Sequence, residues 1–235
     1  MASRRTKLLL LAAAVLGGLA GLELFVVRLG RADTAPPAAV HGQLHDGGTY
    51  LVYVPDSLPA GRKVPLVFAL SPGADAGSMI RVWAHVAETH GWLVAASKEF
   101  RNGVPWKILT PQVMAELDAV ERAYPVDQGK VVFTGLSGGA MGSLGLTYFY
   151  PARVTALVLN TGKMNESFMD ANYPRGKRAV FLASPGDFRY QEMKRDRAFL
   201  DARGWTTTWI EFAGGHTFAP PVAYEAAANW LKQHW

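Results

Sequence analysis

One ten-residue stretch constrains the fold of this chain more than any other: VVFTGLSGGA at positions 131–140. Its apolar first half is typical of a buried strand, and the Gly-x-Ser-x-Gly pattern that follows predicts a sharp turn into a helix. Glycine at positions 135 and 139 suits such a turn, because the strand and helix backbones approach too closely for side chains. The turn would project the Ser137 hydroxyl outward, where a substrate carbonyl can reach it. The motif is a weak signal by itself, so its meaning depends on a base and an acid elsewhere in the chain.

Strand and helix patterns alternate from about Val40 to the end of the chain. Continuous apolar runs predict strands that are buried on both faces, and the amphipathic segments between them predict helices. The predicted strands are Val40–His45, Thr49–Val54, Val64–Leu70, Trp92–Ser97, Lys130–Thr134, Ala156–Asn160, Val180–Ala183 and Thr206–Phe212. The predicted helices are Ser78–His90, Thr110–Tyr124 with Pro111 in its first turn, Gly138–Phe149, Tyr190–Arg203 and Pro221–His234.

A hairpin signal, Asp46-Gly47-Gly48, joins the first two predicted strands. The later strands are separated by helices, as the crossovers of a parallel sheet require. This order predicts an α/β domain with a mostly parallel central sheet, helices on both faces and an antiparallel N-terminal hairpin.

Length and composition support a single folded domain. The chain has 235 residues, 49% of them hydrophobic and 18% charged, which suits one domain with a well-buried core. The formal net charge is +5, but residues 1–31 hold five basic residues against Glu23 alone. The rest of the chain is therefore almost neutral, which argues against a nucleic-acid surface. The absence of cysteine excludes disulfides, thiol catalysis and zinc–thiolate sites.

The first 31 residues have the pattern of an export signal or a membrane anchor. A basic segment, RRTK at positions 4–7, precedes a long apolar run. A cleaved signal peptide would use Leu8–Ala20 as its apolar region, whereas an uncleaved anchor would use Leu8–Val27, about long enough to span a bilayer. Residues 32–39 predict a linker, and residues 40–235 the folded domain. The expected location is periplasmic or extracellular, with the protein either secreted or held at the membrane by its N-terminal segment.

Three polar residues follow three different predicted strands in an order that suits nucleophilic catalysis. Ser137, Asp187 and His216 come just after strands, and the carboxyl ends of parallel strands meet at one edge of a sheet. A serine hydroxyl is a poor nucleophile at neutral pH, so an imidazole must take its proton and a carboxylate must orient that imidazole. The alternatives are a turn serine, a structural histidine and an aspartate that only caps the next helix. The rival acids, none of them directly after a strand, are Glu166, Asp170 and Glu192.

The chain from about Val40 to its end resembles the α/β-hydrolase superfamily. It is most similar to compact, lidless esterases of the poly(3-hydroxybutyrate) depolymerase and feruloyl esterase type. The resemblance implies an α/β-hydrolase fold without a large lid, with Ser137 as nucleophile, His216 as base and Asp187 as acid. It is specific to fold and reaction type rather than to substrate. The segments that carry it are Pro65–Gly73, Gly91–Ser97, Val126–Gly142, Phe181–Asp187 and Phe212–Phe218.

The resemblance also implies an oxyanion hole, with one departure. In this fold one N–H comes from the residue after the nucleophile, here Gly138, and another from the loop after an earlier strand. Where such esterases usually carry His-Gly in that loop, this chain has Ser71-Pro72-Gly73. Proline has no N–H to donate, so Gly73 or Ala74 is the expected second donor.

Asn102 and Trp106, in the loop after the predicted strand Trp92–Ser97, are candidates for lining the substrate pocket, although a plain surface loop fits them equally well.

The predicted triad of Ser137, His216 and Asp187, together with the resemblance, predicts a serine ester hydrolase of the carboxylesterase type. Such an enzyme forms an acyl-enzyme with a small-molecule or polymer ester. This chemistry needs no metal or organic cofactor. The alternatives are a peptidase or thioesterase with the same triad, and a non-catalytic, tethered binding domain that kept the fold.

Overall fold

The computed structural model describes residues 26–28 and 41–235. The strands of these residues are β1 (Val26–Arg28), β2 (Gln43–Asp46), β3 (Tyr50–Val54), β4 (Val64–Leu70), β5 (Leu93–Ser97), β6 (Val126–Leu136), β7 (Ala156–Asn160), β8 (Arg178–Ala183) and β9 (Thr206–Glu211). The α-helices are α1 (Ala76–His90), α2 (Trp106–Ala123), α3 (Gly138–Phe149), α4 (Tyr190–Ala202) and α5 (Pro221–His234). Two short 3₁₀ turns, Pro151–Arg153 and Glu166–Phe168, stand on either side of β7.

All nine of these strands join in one sheet, in the order β1-β9-β8-β7-β6-β4-β5-β3-β2. The strands from β4 to β9 run parallel to one another, and β1 adds a short parallel strand at the β9 edge. At the other edge β3 is antiparallel to β5, and β2 is antiparallel to β3. The predicted mostly parallel sheet with an antiparallel N-terminal hairpin is thus confirmed.

Helices cover both faces of the sheet. On one face, Trp83 of α1 meets Tyr224 of α5 edge to face, with the ring centroids 5.0 Å apart. On the other face, Phe68 of β4 stacks on Phe133 of β6 at 5.4 Å, in the core shared with α2, α3 and α4. Strands that are buried on both sides need apolar residues at every position, which explains their continuous apolar runs in the sequence.

The prediction for the second helix was wrong at its start. The helix α2 begins at Trp106 instead of Thr110, so Pro111 lies inside the helix and not in its first turn. A proline there removes the N–H that would bond to the carbonyl of Lys107. Both residues are exposed, so water can satisfy that carbonyl and the break is tolerated.

The carboxyl edge of the sheet is open within residues 41–235. The longest loop there without an α-helix, between β7 and β8, contains only the 3₁₀ turn Glu166–Phe168, so the expectation of no large lid is confirmed for the described residues. Among the described residues, no helix is both long and apolar enough to cross a membrane. The predicted signal or anchor and the linker fall largely on residues 1–25 and 29–40, which lie outside the described residues.

Candidate active site

Ser137 occupies a sharp turn between β6 and α3. Its backbone angles, φ 54° and ψ −114°, belong to a region that residues with a side chain rarely adopt. A Cβ on Gly135 would lie 2.6 Å from the Leu70 carbonyl oxygen, and a Cβ on Gly139 would overlap the same carbonyl group. Only glycine fits at both places. The predicted strand–turn–helix arrangement is therefore present, and it presents the hydroxyl of Ser137 at the carboxyl edge of the sheet.

A chain of hydrogen bonds links Ser137, His216 and Asp187. The Nε2 atom of His216 lies 2.8 Å from Ser137 Oγ, and its Nδ1 atom lies 2.7 Å from Asp187 Oδ2. The side chain of Asp187 has no exposed surface, whereas the His216 side chain is 28% exposed. These hydrogen bonds thus connect a buried carboxylate to a solvent-accessible hydroxyl. The three residues that the sequence analysis singled out therefore lie together.

The loop after β8 places the carboxylate of Asp187. One of its oxygens, Oδ1, accepts a hydrogen bond of 2.6 Å from the Arg189 N–H, which leaves Oδ2 for His216. A Cβ on Gly186 would lie 2.6 Å from the Gly214 carbonyl oxygen, so this loop packs directly against the loop that carries His216. Asp187 therefore shapes the turn before α4 and also contacts the imidazole. The role of triad acid and the role of shaping the start of the next helix are therefore compatible for Asp187.

The rival acids are bound elsewhere. Glu192 pairs with Lys163 at 2.7 Å and with Arg189 at 2.9 Å. Glu166 pairs with Arg195, and Asp170 accepts a hydrogen bond of 2.9 Å from the Tyr148 hydroxyl. These contacts leave Asp187 as the carboxylate on the His216 ring.

Asn160, at the end of β7, contacts both the turn that carries Ser137 and the loop that carries His216. This residue was not identified from the sequence. Its backbone carbonyl accepts a hydrogen bond of 2.9 Å from the Ser137 N–H. Its buried side chain donates to the Thr217 carbonyl at 3.1 Å and accepts from the Ala219 N–H at 2.9 Å and the Tyr224 hydroxyl at 2.6 Å. A polar residue at the end of an otherwise apolar strand was the available signal, since a buried amide must be satisfied by something nearby.

The N–H groups expected to bind the oxyanion differ in whether they already donate to another atom of the protein. Gly138 is the first residue of α3, so its N–H has no partner within the helix and stands next to Ser137. The Ala74 N–H donates to the Ser71 carbonyl at 3.2 Å, within its own turn. The Gly73 N–H lies 3.4 Å from the Ser71 hydroxyl, a long contact.

A cavity of about 270 Å³ adjoins Gly138, and both candidate pocket residues line it. Trp106 packs edge to face on Phe168, with the ring centroids 5.3 Å apart, and its ring covers Gly145 of α3. Asn102 extends over Gly138 itself. The cavity is therefore a small, largely apolar recess that opens beside the serine turn.

An exposed aromatic ring lies beside the imidazole of the triad. Phe188 is 68% exposed, and its ring centroid lies 4.5 Å from that of His216. The guanidinium of Arg189 lies 4.9 Å from the same ring. The turn at Asp187 thus directs Phe188 outward, where its ring lies against the imidazole.

The sheet order, the serine turn and the residues at the carboxyl edge define an α/β-hydrolase fold. Solved structures with this fold include the fluorophosphonate-binding serine hydrolase F of Staphylococcus aureus, substrate bound, at 13% identity and a TM-score of 0.64. That match covers 83% of this chain and 99% of the other.

Two similar solved structures are described as esterases. A thermostable esterase is 20% identical with a TM-score of 0.60, over 78% of this chain and 58% of that one, so this chain spans little more than half of that protein. A ferulic acid esterase is 16% identical with a TM-score of 0.56, over 77% and 89% of the two chains. At these identities the likeness concerns the fold. No protein-family model and no curated protein sequence matches the chain.

Proposed function

We propose that this protein is a serine ester hydrolase that works through an acyl-enzyme on Ser137. The observation that carries the proposal is the hydrogen-bonded chain from Ser137 Oγ through His216 to the buried Asp187. A serine that only shaped the turn would need no imidazole on its hydroxyl. The likeness in fold to solved esterases and serine hydrolases supports the same reaction class.

Acylation begins with attack of Ser137 Oγ on the ester carbonyl carbon. His216 Nε2, 2.8 Å away, takes the hydroxyl proton, and Asp187 stabilises the resulting imidazolium through Nδ1. The carbonyl oxygen becomes an oxyanion near the Gly138 N–H. Collapse of this intermediate breaks the bond to the leaving alkoxide, which receives the proton from His216 and departs as an alcohol.

Deacylation repeats these steps with water. His216 takes a proton from a water molecule, which attacks the acyl carbon and forms a second tetrahedral intermediate. Collapse of that intermediate releases the carboxylic acid and returns the proton to Ser137 Oγ. The partial exposure of His216 lets water reach Nε2 without a large rearrangement.

The surroundings of the triad favour a small acyl or alcohol group. The recess beside Gly138 holds about 270 Å³, which is below the usual size of a drug-sized ligand site. The exposed ring of Phe188 offers an apolar, aromatic surface next to His216. A small ester, or the end of an ester polymer, fits an open edge of this kind.

Hydrolysis of p-nitrophenyl acetate tests the proposal. We expect Ser137→Ala and His216→Ala to lower kcat by about 10⁴-fold or more, and Asp187→Asn by about 10²–10⁴-fold. Ser167→Ala, at an exposed serine on the 3₁₀ turn, is the matched control and should keep wild-type kinetics. Phenyl thioacetate and p-nitroacetanilide, run in parallel, separate an esterase from a thioesterase or amidase. Wild-type turnover that persists in Ser137→Ala would refute the assignment.

We further propose that residues 1–31 direct export of the domain. The basic segment RRTK, followed by a long apolar run, is the sequence pattern that supports this. Cell fractionation with an antibody to the domain, together with the N-terminal mass of the product, tests it. Export predicts protein outside the cytoplasm, shortened at its N-terminus if it is secreted and full-length in the membrane if it is anchored. A full-length protein in the cytosol would be the opposite result.

A further inference from the structure

The candidate oxyanion hole has one clear backbone donor, the Gly138 N–H. The second donor was expected from the loop after β4. In that loop the Ala74 N–H donates to the Ser71 carbonyl at 3.2 Å, and the Gly73 N–H faces the Ser71 hydroxyl at 3.4 Å. Pro72 has no N–H at all. The Ala74 N–H is thus engaged within its own turn and Pro72 has no donor, so this loop offers at most the Gly73 N–H, and a side-chain donor nearby can complete the oxyanion hole.

The side-chain amide of Asn102 lies against Gly138. A Cβ placed on Gly138 would overlap the amide oxygen Oδ1 of Asn102 and would lie 2.6 Å from both Cγ and Nδ2, so the amide fills the space beside this residue with its oxygen nearest. The Asn102 amide makes no hydrogen bond to any residue that the structure describes. Rotation about its terminal χ angle exchanges the oxygen and the nitrogen, so its two N–H donors can be turned toward an incoming anion.

The backbone holds Asn102 in this place. Its N–H donates to the Pro72 carbonyl at 2.9 Å, and Arg101 forms an antiparallel bridge with Gly73. The loop after β5 is thus attached to the loop after β4, at the residues from which a backbone donor was expected. The side chain of Asn102 is consequently held beside Gly138, next to the loop from which a backbone donor was expected.

We propose that the side chain of Asn102 is the second oxyanion donor, and that it acts with the Gly138 N–H on the oxygen of the tetrahedral intermediate. This proposal rests on the serine hydrolase function proposed above. Side-chain amides can serve in oxyanion holes because they donate hydrogen bonds without changing protonation state. Asn102 would thus be a catalytic residue and not only part of the pocket wall.

Two substitutions at this residue test the proposal with p-nitrophenyl acetate. Asn102→Ala removes the donor, and we expect kcat to fall about 10²-fold while KM changes by less than about threefold, since the interaction forms fully only in the transition state. Asn102→Asp keeps the shape but places a negative charge near the oxyanion, so its kcat at pH 8 should fall below that of Asn102→Ala. Asn229→Ala, at an exposed asparagine on α5, is the matched control and should leave both constants unchanged.

A thermal unfolding scan separates catalysis from folding. Asn102 is exposed and its side chain is unbonded, so Asn102→Ala should unfold within about 2 °C of the wild type. A kcat within about threefold of the wild type would overturn the proposal, as would a loss of kcat matched by a lowered unfolding temperature. If the wild type neither hydrolyses the ester nor reacts with a fluorophosphonate at Ser137, the proposed function is wrong, and the proposal for Asn102 is then wrong as well. An active wild type with an equally active Asn102→Ala removes only the role of Asn102.

Gly138→Ala provides a second, independent test. This variant keeps the backbone N–H, but its methyl group would occupy the space of the Asn102 amide and displace that flexible side chain. We expect Gly138→Ala to lose about as much kcat as Asn102→Ala, and the double variant to be no slower than either single one. Independent effects, which multiply in the double variant, would contradict the shared mechanism.

Discussion

At the scale of single residues, Glu116 of α2 is a buried carboxylate outside the site. Its side chain is buried, with 3% of the residue exposed, and neither carboxylate oxygen has a hydrogen-bond partner among the described residues. Burial raises the pKa of Glu116 to about 7, and the negative charge of Glu99 adds to this effect. The nearby hydroxyls of Ser97 and Thr49 oppose the rise only in part. The protonated form is therefore the stable one in the folded state below neutral pH.

This residue predicts a stability that decreases as the pH rises. An unfolded glutamate has a pKa of about 4.3, so between about pH 4.5 and 7 the native state holds a proton that the unfolded state has released. The free energy of unfolding then falls across this window. Glu116→Gln cannot ionise, so it should be more stable than the wild type by about 1–3 kcal/mol at pH 8, and by less than about 1 kcal/mol at pH 5.

Urea unfolding at the two pH values measures this difference. Glu166→Gln, at a side chain that is 71% exposed, is the control and should show no such pH-dependent gain. An equal effect of Glu116→Gln at pH 5 and pH 8 would mean that Glu116 does not change its protonation on unfolding.

Asn160 carries a different prediction at the same scale. Asn160→Ala removes the hydrogen bonds to Thr217, Ala219 and Tyr224, so two buried polar groups, the Ala219 N–H and the Tyr224 hydroxyl, lose their partner. We expect a loss of about 2–4 kcal/mol in the free energy of unfolding. The loop that carries His216 should also loosen, and kcat for an ester should fall at least about tenfold in the protein that remains folded. Wild-type kcat in Asn160→Ala would show that the loop is positioned without this residue.

At the scale of elements, two glycines occupy equivalent positions in two helices but have different surroundings. Replacing each with alanine distinguishes the effect of helix propensity on stability from the effect of close packing. Gly77 is the second residue of α1, and a Cβ there would make only ordinary contacts of 3.5 Å and more. Gly139 is the second residue of α3, where a Cβ would overlap the Leu70 carbonyl. We expect Gly77→Ala to stabilise the protein by up to about 1 kcal/mol, because alanine loses less conformational freedom than glycine.

Gly139→Ala should destabilise the same protein by about 3 kcal/mol or more, because the serine turn must move away from β4. Chemical denaturation of both variants provides the comparison. Similar stabilities for the two would mean that the turn at Ser137 is not held by this close approach.

The sequence predicted the elements with a strong hydrophobic pattern. The bounds of β4, β7, α3 and α5 agree with the prediction, because an apolar run or an amphipathic stripe marks each of them from end to end. The start of β6 at Val126 instead of Lys130 was missed, since Asp127, Gln128 and Gly129 break the apolar pattern although their backbone continues the strand. Exposed ends of strands carry no such pattern.

The candidate site was predictable in its types of residue but not in its contacts. Ser137, Asp187 and His216 could be found because each follows a strand, and the sheet brings strand ends together. The interaction of Asn102 with Gly138 connects two loops far apart in sequence, and the turn of Phe188 toward His216 depends on the geometry around Asp187. Such contacts follow from the folded structure and leave no local signal in the sequence.

At the scale of the whole molecule, the parallel sheet explains how distant residues form one site. The strands β6, β8 and β9 end at the same edge, and the residues after them meet there without a lid. Cores on both faces hold these strands in register, while the loops at the edge carry the chemistry. The proposed export of this domain would place an open site of this kind in contact with esters outside the cytoplasm.

Reaction with a fluorophosphonate, followed by mass spectrometry of the intact protein and its peptides, tests the central claim most directly. A nucleophilic serine predicts one adduct, located on the peptide that contains Ser137. Ser137→Ala should carry no adduct, and His216→Ala should form it at least about 10²-fold more slowly because the imidazole no longer takes the proton. Equal labelling of Ser137→Ala and wild type, or an adduct on a different residue, would contradict the assignment of Ser137 as the nucleophile.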